Sequence, residues 1–152
     1  SIFDYCSIPT VRRWYNNGKC TLANLSPDEK SLRKIYQKIM KIATTEKAIA
    51  QGSLFDLMYV NYGNLDPTRH YVYMRNYGKE SIIIGCNFGP SPASIDIDVP
   101  THAFDTLHIK PGTYMMTELV TRHKRKSLFT DHDKLHLDIE PYGTVLWKFK
   151  AN

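Results

Sequence analysis

No stretch of this sequence stays apolar for the roughly 20 residues that a helix needs to cross a bilayer. The longest apolar run, Ser81 to Cys86, is strand-sized and bounded by Lys79-Glu80 and Asn87. A transmembrane helix is therefore excluded, and no membrane partner is expected. Cysteine is scarce as well: Cys6, Cys20 and Cys86 are spaced neither as a CxxC metal pair nor as a dense disulfide framework. Cys6 and Cys20 share an irregular segment, so a bridge between them stays open and would require an oxidising compartment. Cys86, inside a hydrophobic run, is expected in the core. Neither sign of charge dominates, since 20 basic and 15 acidic residues are interspersed to a net +5, and no nucleic-acid partner is expected. A starting Met and a charged-then-apolar leader are both missing from Ser1-Ile2-Phe3-Asp4-Tyr5-Cys6. The chain thus reads as cut from something longer, with any parent signal peptide out of view. Periplasmic, extracellular and cytoplasmic locations all stay open.

What is present describes an ordinary globular chain: 152 residues, 42% of them hydrophobic and 23% charged, enough for one domain with a real core plus an appendage. The clearest local signal is Ser26-Pro27-Asp28-Glu29. Ser26 suits an N-cap, Pro27 suits the first helical turn, and Glu29 can reach back to close a capping box. Leu32, Ile35, Tyr36, Ile39, Ile42 and Ala43 follow at helical spacing, with Lys30, Arg33, Lys34, Lys38 and Lys41 between them. One long amphipathic helix is predicted, and its apolar stripe needs a partner.

From Leu54 onward the pattern changes to short runs rich in Tyr, Val, Ile and Phe, separated by Gly, Pro, Asn and Asp. Eight strands are predicted, at Leu54–Asn61, Tyr71–Tyr77, Ser81–Phe88, Ser94–Val99, Leu107–Ile109, Tyr114–Thr121, Lys134–Ile139 and Thr144–Lys150. A tight hairpin is expected around Arg75 to Glu80. Ile95-Asp96-Ile97-Asp98-Val99 alternates like a strand with one wet face, whereas Ile82-Ile83-Ile84 reads as a strand covered on both sides. Two stacked sheets explain both, which predicts a mainly β chain: an antiparallel Greek-key β-sandwich of about eight strands behind one long N-terminal helix.

The search for chemistry gives little. A glycosidase needs two carboxyl groups facing across a cleft, but Asp96, Asp98, Asp138 and Glu140 sit singly in alternating strands, and Asp28 and Glu29 suit a first helical turn. No Ser or Cys occupies an elbow of the G-x-S-x-G kind, and no catalytic residue is assigned. Asp131-His132-Asp133 is the most metal-like group, though such a triplet between strands is more often a polar turn. No cofactor is expected. The basic run Arg122 to Lys126 is read as a solvated hairpin tip between Tyr114–Thr121 and Leu128–Phe129. Among the many aromatic residues, Tyr59, Tyr71 and Tyr73 are the candidates for a sugar-stacking platform, set against the more usual use of such rings in cores and interfaces.

At Ser26-Pro27-Asp28-Glu29-Lys30-Ser31-Leu32, Tyr36-Gln37-Lys38-Ile39 and Ala48-Ile49-Ala50-Gln51-Gly52, the chain resembles the last barrel helix of α-amylase-family glycoside hydrolases. The resemblance continues through Val72-Tyr73-Met74-Arg75, through Ile82-Ile83-Ile84-Gly85-Cys86-Asn87-Phe88 and through Leu137 to Leu146, so it spans about Ile8 to Phe149. None of that family's catalytic barrel motifs has a counterpart here. The resemblance implies residues 1–52 as the lead-in and terminal helix of a missing barrel, and residues 53–152 as the C-terminal β-sandwich domain. It implies a non-catalytic accessory part that supports the barrel of an enzyme acting on α-glucans, with that barrel and an α-glucan as partners. An independent carbohydrate-binding module and an interaction module unrelated to sugars are the alternatives. With the barrel missing, Trp14, Ile35 and Ile39 are expected to form an exposed patch that drives homodimerisation through the helix.

Overall fold

The computed structural model of the protein describes residues 8–151; Cys6, and with it the open question of a Cys6–Cys20 bridge, lies outside them. The described residues form two compact units that divide between Lys41 and Ile42.

In the first unit, helix α1 (Pro9–Tyr15) opens on a proline and ends at Asn16 in the left-handed region, φ 44°. A turn through Gly18, φ 85°, leads on towards helix α2 (Pro27–Thr45), whose last residues belong to the second unit. The capping box forms as the sequence predicts. The Glu29 amide donates to Ser26 Oγ (3.1 Å) and the Ser26 amide donates to Glu29 Oε2 (2.8 Å). Arg13 pairs with the same Glu29 carboxylate. Leu32, Ile35, Tyr36 and Met40 leave more than half their surface exposed along α2. The long helix is not alone, however: α1 precedes it, and three short helices follow in the second unit.

That unit is mainly β, with eight antiparallel strands in two sheets. The larger sheet has the order β1 (Ser53–Asp56), β2 (His70–Tyr77), β3 (Glu80–Asn87), β8 (Thr144–Lys150), β5 (Gly112–Glu118), β6 (Lys124–Phe129). The smaller pairs β4 (Ala93–Ile97) with β7 (Leu135–Ile139). One core lies between them. Val72, Met74, Ile83, Met116 and Phe149 from the large sheet meet Ile95, Ile97, Leu137 and Ile139 from the small one. The alternation at Ile95 to Val99 is that of a strand with one wet face: Ile95 and Ile97 are buried, Asp96 exposed. Ile82 and Ile84 are buried too, on the face of the large sheet that points away from this core. Helix α3 (Lys47–Ala50) covers that outer face, and the Arg75 guanidinium ties it down by donating to the carbonyls of Ala48 (3.1 Å) and Ile49 (2.7 Å).

Four expectations fail, each for a local reason. The run Leu54–Asn61 is no single strand, because the Asp56 carboxylate accepts the Met58 amide (3.0 Å) and turns the chain into α4 (Met58–Asn61). Leu107–Ile109 is the end of helix α5 (Thr101–Leu107), closed by His108 at φ 54°. The basic run is a hairpin tip only at Arg122 and His123, between the paired β5 and β6. β5 stops at Glu118, whose carboxylate accepts the Thr121 amide and hydroxyl, and this advances the turn so that Lys124–Lys126 enter β6. Cys86 faces away from the core, half-buried, with its Sγ 3.6 Å from the Thr144 hydroxyl.

Candidate functional site

Period-two alternation along β2 sends Val72 and Met74 into the core and Tyr71, Tyr73 and Arg75 to the outer face. Beside α3 this leaves a groove of about 500 Å³, lined by Leu54, Tyr71, Tyr73, Arg75, Cys86 and Phe88. The Tyr71 and Tyr73 rings lie 5.3 Å apart, tilted by 39°. Burial pushes the ionisation of both phenols upward, helped at Tyr71 by the Asp56 carboxylate, so both hydroxyls stay protonated donors. Burial also raises the Cys86 thiol, against a smaller opposite effect of its Thr144 hydrogen bond, which keeps the sulfur a poor nucleophile. With its guanidinium committed to α3, Arg75 stiffens the groove wall. Leu54 and Phe88, 52% and 67% exposed, widen the apolar surface.

Tyr59 is not part of this groove. It stands on α4 with its hydroxyl 2.5 Å from His102 Nε2, in a separate cluster with Phe55, whose ring centroid is 5.5 Å from that of His102. Tyr71 and Tyr73 are thus brought together and Tyr59 is set apart. Phe88 and Leu54 carried no sequence signal of their own, since they join the groove only through the pairing of β1, β2 and β3.

The Asp131-His132-Asp133 group forms a polar turn whose carboxylates are held by threonine hydroxyls. Asp131 accepts the Thr101 hydroxyl (2.6 Å), which holds its carboxyl below the ordinary range, and Asp133 accepts the Thr130 hydroxyl (2.8 Å). Thr130 Oγ1 accepts the amides of His132 and Asp133. Among the described residues no group of three His, Cys, Asp or Glu side chains is placed to hold a metal ion.

A denser titratable array lies on the wet face of the small sheet. His136 Nδ1 is 2.8 Å from Asp96 Oδ1 on the facing strand, and its Nε2 is 3.0 Å from Asp138 Oδ1. Ser94 also donates to Asp138 (2.8 Å). Both ring nitrogens face carboxylates, which accept only, so the arrangement calls for the imidazolium. The hydrogen bond to Asp96 raises the His136 pKa, burial opposes it, and the hydrogen bond to Asp138 adds to the rise. The register Asp96↔His136 brought these groups together; the alternation alone said only that each is exposed.

The unit is therefore a mainly β, two-sheet domain with an apolar aromatic groove on its outer face. No protein-family model matches the sequence, and no curated protein matches it. Solved structures do. A maltogenic α-amylase, AmyB of Thermotoga neapolitana, is similar with a TM-score of 0.61 at 11% identity, over 84% of this chain and 27% of the other. AmyP, solved in complex with maltose, gives 0.60 at 10% identity, over 82% and 22%. An α-amylase of Anoxybacillus gives 0.56 at 13% identity, over 81% and 23%. The likeness is one of fold. The chain spans only about a quarter of the length of these structures.

Proposed function

We propose that this chain is a non-catalytic C-terminal accessory part of an α-amylase-type glycoside hydrolase acting on α-glucans, and that it stabilises the catalytic barrel. In this reading residues 1–52 are the lead-in and terminal helix of that barrel, and residues 53–152 form a Greek-key β-sandwich packed against it. One observation carries the proposal: the fold match takes in more than four-fifths of this chain but only 22% to 27% of the amylase structures. The exposed Leu32, Ile35, Tyr36 and Met40 of α2 agree with a face meant for further polypeptide.

The test is to express the chain joined to the polypeptide encoded before it and to assay α-glucan hydrolysis. Hydrolysis by the joined protein, none by the 152-residue chain, and faster thermal inactivation when residues 53–152 are removed are the expected results. Preceding sequence without a barrel, or a joined protein whose stability ignores the removal, overturns it.

A second reading, a carbohydrate-binding surface, is favoured by the Tyr71–Tyr73 pair in its groove, because the apolar face of a pyranose stacks on exposed rings. Titration with maltooligosaccharides checks it. Binding that disappears in Tyr71→Ala and Tyr73→Ala supports the reading, and absence of binding to the unaltered chain removes it.

A further inference from the structure

The strand β6, which the sequence disguises as a loop, gives the outer face of the large sheet a second surface on the far side of α3. Across β6 and β5 the register sets Lys124 opposite Thr117, Lys126 opposite Met115 and Leu128 opposite Thr113. Thr117 in turn faces Lys148 of β8, with Lys150 two residues on. From strand rise and spacing, Lys124 and Lys126 stand about 7 Å apart along the strand, and Lys124 and Lys148 about 10 Å apart across it. Arg122, at the turn before β6, lines the same depression of about 460 Å³ as Met115, Thr117, Lys148 and Lys150. Cations separated by more than 20 residues in sequence thus share one face.

The charge on this face is unbalanced. Lys148 takes the carboxylates of Glu46 (2.5 Å) and Glu80 (2.8 Å), and Lys150 sits opposite Glu80. Arg122, Lys124 and Lys126 form no ion pair among the described residues. Five cations against Glu46 and Glu80 leave three positive charges in excess. The middle of the surface is apolar: Met115 and Leu128 are 60% and 50% exposed. Tyr114, Phe129 and Phe149 all turn into the core.

The geometry points to this β5–β6–β8 face as a docking surface for an acidic protein segment, whose carboxylates meet Arg122, Lys124 and Lys126 around an apolar contact on Met115 and Leu128. Charge complementarity carries the inference, and Lys148 already shows a cation of this face holding carboxylates. A nucleic acid fits less well. Stacking platforms are what single strands exploit, and the aromatic rings here are buried, while exposed Met115 and Leu128 offer nothing to a phosphate. The inference stands whether or not the chain belongs to an amylase.

Binding of fluorescein-labelled poly-L-glutamate by the 152-residue chain, read by fluorescence anisotropy at low salt, tests it. Lys124→Glu with Lys126→Glu is compared with Lys34→Glu with Lys38→Glu on α2, which changes the net charge equally. The expected result is a loss of about tenfold or more in the β6 variant and about twofold or less in the α2 variant, with binding weakening as salt rises. Lys124→Gln with Lys126→Gln serves if the charge reversal unfolds the chain by circular dichroism. Equal losses in both variants, which net charge alone would give, overturn the proposal. So does a single-stranded oligonucleotide that binds more tightly than poly-L-glutamate and is lost with the same two lysines.

Discussion

The Glu118 carboxylate takes the place of a strand partner for Leu146: its Oε1 accepts the Leu146 amide at 3.0 Å, while its Oε2 accepts the Thr121 amide and hydroxyl. The side chain is 3% exposed and fully hydrogen-bonded, where β5 parts from β8. Removing it takes this acceptor from the Leu146, Val120 and Thr121 amides and the Thr121 hydroxyl. Glu118→Ala is expected to cost about 2–4 kcal/mol in chemical denaturation, and Glu118→Gln less, because the amide oxygen keeps one side of the arrangement. A loss below about 1 kcal/mol for Glu118→Ala contradicts this account.

Stability should depend on pH through the same residue. Burial pulls the Glu118 pKa up, but the hydrogen bonds from Thr121, Leu146 and Val120 outweigh it and leave the pKa below 4.5. A depressed folded value means stabilisation that is complete above the unfolded pKa and is lost as pH falls through the folded one. Urea midpoints measured from neutral pH down to about pH 3 should fall more steeply for the unaltered chain than for Glu118→Gln.

His136 works in the opposite direction. Its pKa is raised above 6.5 by Asp96 and Asp138, so its contribution is complete below the unfolded value and fades as pH rises through the folded one. The ring is half exposed, and solvent screening keeps the effect under about 1 kcal/mol. Titration of the His136 ring by NMR should give a pKa above that of a model histidine, moving down in Asp96→Asn. An unshifted ring would remove the imidazolium from the description.

Two glycines should separate by what surrounds them. At Gly52 an added methyl would lie 2.3 Å from the Ala48 carbonyl oxygen and 2.4 Å from that of Asn76, both fixed backbone. At Gly85 it would meet the Ile139 Cδ1 at 2.8 Å and the Leu137 Cδ1 at 3.1 Å, the movable ends of side chains. Gly52→Ala is expected to cost about 3 kcal/mol or more and Gly85→Ala about 1 kcal/mol, read as shifts in urea midpoint.

Arg125 spreads its guanidinium 4.1 Å above the Trp147 ring and donates to the His136 carbonyl at 2.7 Å, joining β6 to the small sheet. Arg125→Ala should cost about 2 kcal/mol and alter Trp147 fluorescence. An unchanged emission spectrum would show that the stack does not form in solution.

Of the expected patch Trp14, Ile35 and Ile39, Ile39 is partly buried; the exposed Trp14 and Ile35 are expected to drive concentration-dependent association of the 152-residue chain through α2, which light scattering checks. A strict monomer at all concentrations rejects that patch as an interface.

The sequence by itself determined α2 and its start, because the Ser26–Glu29 box acts within four residues. It determined β2, β3, β4, β5, β7 and β8 too, since runs of strand-forming residues, period-two alternation and the Gly78 hairpin are local signals. Tertiary structure decided the rest. Arg125 belongs to a strand only because Glu118 closes the preceding turn and Trp147 offers a ring 22 residues further on. Asp56 ends a strand that hydrophobicity alone would have continued. Tyr71 and Tyr73 share a face by alternation, but Leu54 and Phe88 complete their groove only through strand pairing. The pairing of Asp96 with His136 and the gathering of Lys124, Lys126 and Lys148 likewise depend on register, which is fixed by burying one face of each strand against distant partners.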